Sequence, residues 1–205
     1  MAVMTISRQF GAGGKTLGKR VAEELGYTFA DNQIIQKVAD AANVSPHWVE
    51  SIEKEAGTRL NKIISRMVSR GLIDRVLKDE RGYIDEEIYL DYVIVIISQL
   101  AEEGNVVILG RGSQYILNDH PDAFHILLID EKENRVKFMM DNYDLSRKEA
   151  AKTIGNEDRR RLNLYRRLGK KDYDDPALYH LTLNMNRLSM EKAVRAVCEL
   201  VKPDR

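Results

Sequence analysis

Residues 6–18 read ISRQFGAGGKTLG, a composition suited to holding phosphate. Gly11, Gly13 and Gly14, with Ala12 among them, let backbone N–H groups turn toward an anion with little interference from side chains. A helical pattern follows, and the start of a helix presents its positive end at the same place. Thr16 is placed to offer a hydroxyl to Mg²⁺, and Lys15 to reach the β- and γ-phosphates of a nucleotide. The usual phosphate loop reads G-x-x-x-x-G-K-[ST], and with Lys15-Thr16 as its last pair Gln9 stands where the first glycine belongs. Arg8, at the end of the preceding strand pattern, offers a second cation. Its alternative is an ordinary surface arginine. For the whole stretch the bland alternative is a glycine-rich turn that binds nothing.

Two further groups of residues have types suited to anions. Gly110-Arg111-Gly112 directly follows the apolar run VVIL at 106–109, at the carboxyl edge where open α/β sheets collect ligands. An arginine fork suits a pair of phosphate oxygens better than a lysine point charge does. The alternative is a capped turn with a structural arginine. Later, Arg159, Arg160, Arg161, Arg166, Arg167, Lys170 and Lys171 crowd one short stretch. At helical spacing Arg159, Arg166 and Lys170 share one face, and Arg160, Arg167 and Lys171 share its neighbour. Such a run is usually a solvated face, yet phosphoryl transfer needs cations around the migrating group and a mobile helix can bring them. The histidines, His47, His120, His125 and His180, show no metal-ligand spacing. Cys198 falls on an apolar helical face, where packing is its expected role.

These groups need a scaffold, and the hydrophobic pattern supplies one. Short apolar runs at 2–6, 106–109, 124–129 and 180–184, with a weaker one at 27–31, alternate with helical patterns. That alternation predicts an α/β fold with a mainly parallel sheet. Leu17, Val21 and Leu25 give a helix ending at Gly26, and IYLDYVIVIISQLAEEG gives an apolar one. Further helices are expected near 131–142, 146–168 and 189–201. Residues 32–83 are helical in pattern, with a capped start at Ser45-Pro46, and are far longer than a simple crossover requires. They read as an insertion over the ligand-binding edge, or as extra packing. The stripe from Leu60 to Val68 is a candidate homodimer surface.

Bulk composition narrows the setting. The 205 residues suffice for one domain with a full core, and 32 basic against 32 acidic residues leave no global field to recruit nucleic acid or a membrane. An RNA-binding stripe at 159–171 is a separate reading, weakened by that balance and by few interleaved aromatics beyond Tyr165 and Tyr173. A single cysteine excludes an internal disulfide framework and suits a reducing compartment. MAVMTISRQF shows no secretory leader pattern, and YVIVII is too short to span a bilayer. A cytoplasmic protein is expected.

Taken together, ISRQFGAGGKTLG, LGYTFADNQII, VVILGRGSQYIL and DRRRLNLYRRLGKKDYDDPALYHLTLNMNRLS resemble the cytidylate kinase-like branch of the P-loop nucleoside monophosphate kinases, over nearly the whole chain. The resemblance implies a five-stranded parallel sheet flanked by helices, a helical NMP-binding insertion (32–83) and a mobile lid (156–171), in a single domain. It implies ATP-dependent phosphoryl transfer to a nucleoside monophosphate, with Mg²⁺, and CMP or dCMP as the expected acceptor. Arg111 is then the counterpart of an arginine that binds the acceptor phosphate, and Asp31 of the aspartate that opens the NMP-binding region, or an N-cap. The family pattern D-x-x-R-x-x-x-Y fits Asp158, Arg161 and Tyr165, making Arg161, beside Lys15, the expected catalytic cation, with Arg159, Arg166, Lys170 and Lys171 in the lid. Two departures stand out. Laid gaplessly over an ordinary loop of this family, Gly14 falls where the lysine should be and Lys15 one place later, so two registers are open. The aspartate that often precedes the G-R-G segment is replaced by Leu109. Alternative functions are a nucleotide-binding sensor without transferase activity, or a kinase of another small acceptor.

Overall fold

The computed structural model describes residues 1–31, 86–170 and 174–202. Five strands, β1 (Val3–Arg8), β2 (Thr28–Ala30), β3 (Val106–Leu109), β4 (Ala123–Ile129) and β5 (Leu181–Asn184), form one sheet. Its order is β2-β3-β1-β4-β5, and every pairing is parallel. All five strands coincide with the apolar runs of the sequence. β1 lies at the centre, with Val3 opposite both Val106 and Ala123. Helices cover both of its faces, which is why Val3 through Ser7 are all buried and the strand reads as a continuous run rather than an alternating one.

Six helices are described: α1 (Gly14–Leu25), α2 (Glu86–Glu103), α3 (Ser113–Ile116), α4 (Lys132–Tyr143), α5 (Arg147–Arg167) and α6 (Met190–Glu199). Leu17 and Val21 of α1 are wholly buried against the sheet, and Ala193, Val197 and Cys198 of α6 join the same core. Cys198 packs, as its position on an apolar face implies. α1 stops at Gly26, left-handed at φ 65°, whose N–H closes the last turn. α5 begins with a capping box, in which Ser146 and Glu149 bond reciprocally. A second small core, Val136, Met139, Ala150 and Ile154, joins α4 to α5, and Phe10 of the glycine loop packs on it.

The short α3, unforeseen in the sequence, continues from the Gly110–Gly112 turn. The 32–83 insertion, with its capped start at Ser45-Pro46 and the candidate dimer stripe from Leu60 to Val68, lies outside the described residues, as do Lys171 and Tyr173. Among the described residues no helix is long and apolar enough to cross a membrane.

Candidate phosphate-binding site

Three central strands end at one edge, and the loops that follow β1, β3 and β4 meet there. Such a meeting point, where chain connections diverge to opposite sides of β1, is where open parallel sheets form a crevice. The loop between β1 and α1 is held along its length. Gln9 N donates to Leu128 O at 3.0 Å, Ala12 N donates to Gln9 O at 3.1 Å, and Asp130 N donates to Gln9 Oε1 at 3.0 Å. Gln9, which stands at the motif's first glycine in the register that ends on Lys15-Thr16, therefore ties the loop to β4, and it is not among the positive-φ residues. A side chain costs little there.

The next turn is gripped by a partly buried ion pair. Asp158 of α5 accepts from Phe10 N at 2.9 Å and from Arg135 Nη1 at 2.7 Å, while Arg135 Nη1 also reaches Phe10 O at 3.1 Å. Gly11 (φ 88°) and Gly13 (φ 80°) are left-handed, and a Cβ on Gly11 would come within 3.1 Å of Arg135 Cβ. Gly13 caps α1, so the helix's free N–H groups face the loop.

Two cations stand at this loop. Lys15, half exposed on α1, places Nζ 2.8 Å from Asp31 Oδ2, at the end of β2. Arg8 runs past Gly14, with its Cγ 2.9 Å from the position a Gly14 Cβ would take. Burial lowers the Arg8 pKa, and Arg161 and Arg111 push it the same way, against opposing pulls from Tyr165 and Glu157. A cavity of about 230 Å³ is lined by Arg8, the glycines, Lys15, Thr16 and Asp31.

Arg8 also lines a second cavity of about 430 Å³, with Arg111, Asp158, Arg160, Arg161 and Tyr165. Arg111 reaches it from a turn in which Gly110, Arg111 and Gly112 are all left-handed, at φ 73°, 59° and 71°. This conformation is uncommon for a residue with a side chain. A Cβ on Gly112 would overlap Leu168 Cδ1, so the turn and the end of α5 fit only around a glycine. Arg161 is gripped bidentately by Asp174, at 2.6 and 2.9 Å, and lies over the Tyr165 ring at 5.6 Å. Burial opposes the Arg161 charge, but the Asp174 hydrogen bonds together with the charges of Tyr165, Asp174 and Asp158 more than offset it and hold the pKa above the usual arginine value.

The face of α5 that lines this cavity carries Asp158, Arg161 and Tyr165, spaced three and four apart. Arg159 and Arg166, expected in the lid, are exposed, and helical spacing sets them on the far side of α5. Lys170 lies past the helix, 5.6 Å over the Tyr115 ring. The structure thus brings Arg8, Arg111 and Arg161 to one cavity and Lys15, Thr16 and Asp31 to its neighbour. The larger cavity of about 490 Å³ between α1 and α6 is lined by charges of both signs and lies apart from these loops.

The sequence profile of the cytidylate kinase-like family matches residues 3–187. The chain belongs to the cytidylate kinase-like family. Among solved structures, an uncharacterized protein from Eubacterium ventriosum ATCC 27560 is similar at 17% identity and TM-score 0.69, covering 98% of each chain. A gluconokinase from Sinorhizobium meliloti 1021 is similar at 14% identity and TM-score 0.51, over 98% of this chain and 91% of that one. A shikimate kinase from Bacteroides thetaiotaomicron gives 16% and 0.50, over 98% of both. At these identities the likeness establishes the fold, that of the P-loop kinases. A comparison with curated proteins gives no match.

Two residues of the site were missed in the sequence, Arg135 and Asp174. Arg135 finds its partners 23 and 125 positions away, and no local spacing announces such a pair. Asp174 sits in an acidic stretch, DYDD, that nothing local links to Arg161.

Proposed function

We propose that the protein transfers the γ-phosphoryl group of ATP to a nucleoside monophosphate, with CMP or dCMP as the acceptor. The observation that carries this reading is the pair of cavities sharing Arg8 as a common wall. One has the backbone of a phosphate loop, and the other has arginines from three separate elements. A donor phosphate and an acceptor phosphate seated in the two would meet beside a cation. Phosphoryl transfer requires little more than that positioning and charge neutralisation.

In this reading the α1 N-terminus and the N–H groups from Gly11 to Thr16 hold the donor phosphates. Arg111 holds the acceptor phosphate, and Arg161 stabilises charge on the migrating group. Mg²⁺ fits the residues present. Thr16 and Asp31 line the donor cavity with oxygen donors, and this hard cation is usually held by one or two carboxylates, waters and the nucleotide's own phosphates. When bound it neutralises negative charge on the phosphates. Lys15, paired to Asp31, fixes that carboxylate beside the start of α1.

The test is ADP formation from ATP and Mg²⁺ with a panel of acceptors: CMP, dCMP, UMP, AMP, GMP, shikimate and gluconate. A kcat/KM for CMP or dCMP at least tenfold above the others supports the reading. Faster turnover of a hydroxy acid would move the acceptor class to that of the structurally similar kinases.

A further inference from the structure

A P-loop needs a cation against the β- and γ-phosphates, and the two candidates here have different surroundings. Side chains on a helix lean toward its N-terminus, so the first residue of α1 is the one whose side chain would lie back over the loop. That residue is Gly14, which has no side chain. Arg8 fills the space instead: its Cγ would be 2.9 Å, and its Cβ and Cδ 3.3 Å, from a Cβ at position 14. Arg8 and a side chain at position 14 exclude one another. Lys15, one residue on, is turned about 100° around the helix and reaches Asp31 at the edge of the donor cavity.

We infer that Arg8 takes the place of the phosphate-loop lysine, its stem occupying the volume Gly14 vacates and its guanidinium binding the β- and γ-phosphates, while Lys15 serves to hold Asp31. Arg8 lines both cavities, whereas Lys15 lines only the donor one, so Arg8 alone can accompany the phosphoryl group from donor to acceptor. Burial, and then Arg161 and Arg111, oppose its charge against weaker support from Tyr165 and Glu157, and an anion seated beside the guanidinium relieves that opposition. The fork also gives two oxygen contacts where a lysine gives one. The gapless register thereby becomes coherent: the lysine and the first glycine of the ordinary motif have exchanged roles, a glycine at position 14 and a cation at position 8.

This inference rests on the ATP-dependent reading above, and the test separates the two. Binding of Mg²⁺ with a non-hydrolysable ATP analogue is measured by calorimetry, and turnover with ATP and CMP, for wild type, Arg8→Met, Arg8→Lys, Arg8→Gly, Gly14→Lys, Lys15→Met and the exchanged variant Arg8→Gly/Gly14→Lys. Thermal melting monitors folding of each. Arg8→Met is expected to weaken the analogue roughly tenfold or more and to lower kcat on the order of a hundredfold. Arg8→Lys should fall between, keeping the charge without the fork. Lys15→Met should lose less than Arg8→Met in both readouts. Gly14→Lys alone should fail, because its stem meets Arg8, whereas the exchanged variant should recover at least tenfold in kcat over Arg8→Gly. Loss of the analogue in Lys15→Met with retention in Arg8→Met would overturn the inference and leave the ATP-dependent reading standing. Wild type that binds no ATP analogue with Mg²⁺ would overturn that reading, and this inference with it.

Discussion

Arg111 holds a left-handed conformation that costs roughly 1–2 kcal/mol for a residue with a side chain, in a turn whose second glycine is packed against Leu168. Strain of this kind persists where the surroundings over-determine it, and here it aims a guanidinium into the arginine-lined cavity. Arg111→Ala is expected to raise the KM for the monophosphate well above any change in the KM for ATP. Equal changes in both, or none in a folded variant, would remove Arg111 from the acceptor side. Gly112→Ala should destabilise the fold by at least about 1 kcal/mol, read as a lower urea midpoint, because it adds a left-handed Cβ to a filled space. Another residue reports on pH. His125 is buried with Nδ1 2.8 Å from Thr5 Oγ1, and burial, aided by His180, lowers its pKa from 6.5 to about 4. The unfolded chain then binds more protons than the folded one between these values, so stability is complete above about pH 6.5 and declines as the pH falls toward 4. Urea midpoints across that range should fall with acid more steeply in wild type than in His125→Asn, and parallel curves would contradict it. Glycines and the cationic candidates were legible in the sequence because turn geometry and phosphate chemistry are local. Arg135, Asp174 and the choice between Arg8 and Lys15 were not, since each depends on which side chain fills which space across distant segments.

At the scale of elements, α5 has two parts. Its N-terminal portion is anchored by the Ser146–Glu149 box, by Ala150 and Ile154 in the small core, and by Asp158 on the glycine loop. Beyond Asp158 it is held by the Arg161–Asp174 pair and by Tyr165, edge-on to Tyr115 at 5.0 Å. A lid that closes on nucleotide must hinge where the contacts are polar and can exchange for phosphate. Hydrogen exchange should therefore show protection rising over residues 161–170 when an ATP analogue and CMP bind, with 150–158 unchanged. A uniform response along α5, or none, would mean that the helix is fixed scaffold. The Asp158–Arg135 pair makes its own prediction: Arg135→Met leaves a mostly buried carboxylate with one partner fewer, at a cost of about 3 kcal/mol in urea unfolding. Helical periodicity announced α5 and its basic content. It did not single out the face toward the cavity, because that face is set by where Asp158 and Tyr165 dock, while Arg159 and Arg166 were grouped by their own spacing.

Across the whole molecule, the site exists because β1 is central and its neighbours β3 and β4 end beside it, bringing three loops together. The number of strands and their parallel sense could be read from alternating apolar runs and helical patterns. The order β2-β3-β1-β4-β5 could not, since strand pairing is non-local and apolar runs of similar composition do not name their partners. The central proposal is that a phosphoryl group passes from one cavity to the other beside Arg8. The most direct measurement follows the labelled γ-phosphoryl of ATP in a reaction with Mg²⁺ and CMP. The label is predicted to appear in CDP, one for each ADP formed, with little free phosphate. Tight ATP binding with no label in any acceptor of the panel would contradict the account and leave the protein a nucleotide binder without transferase activity.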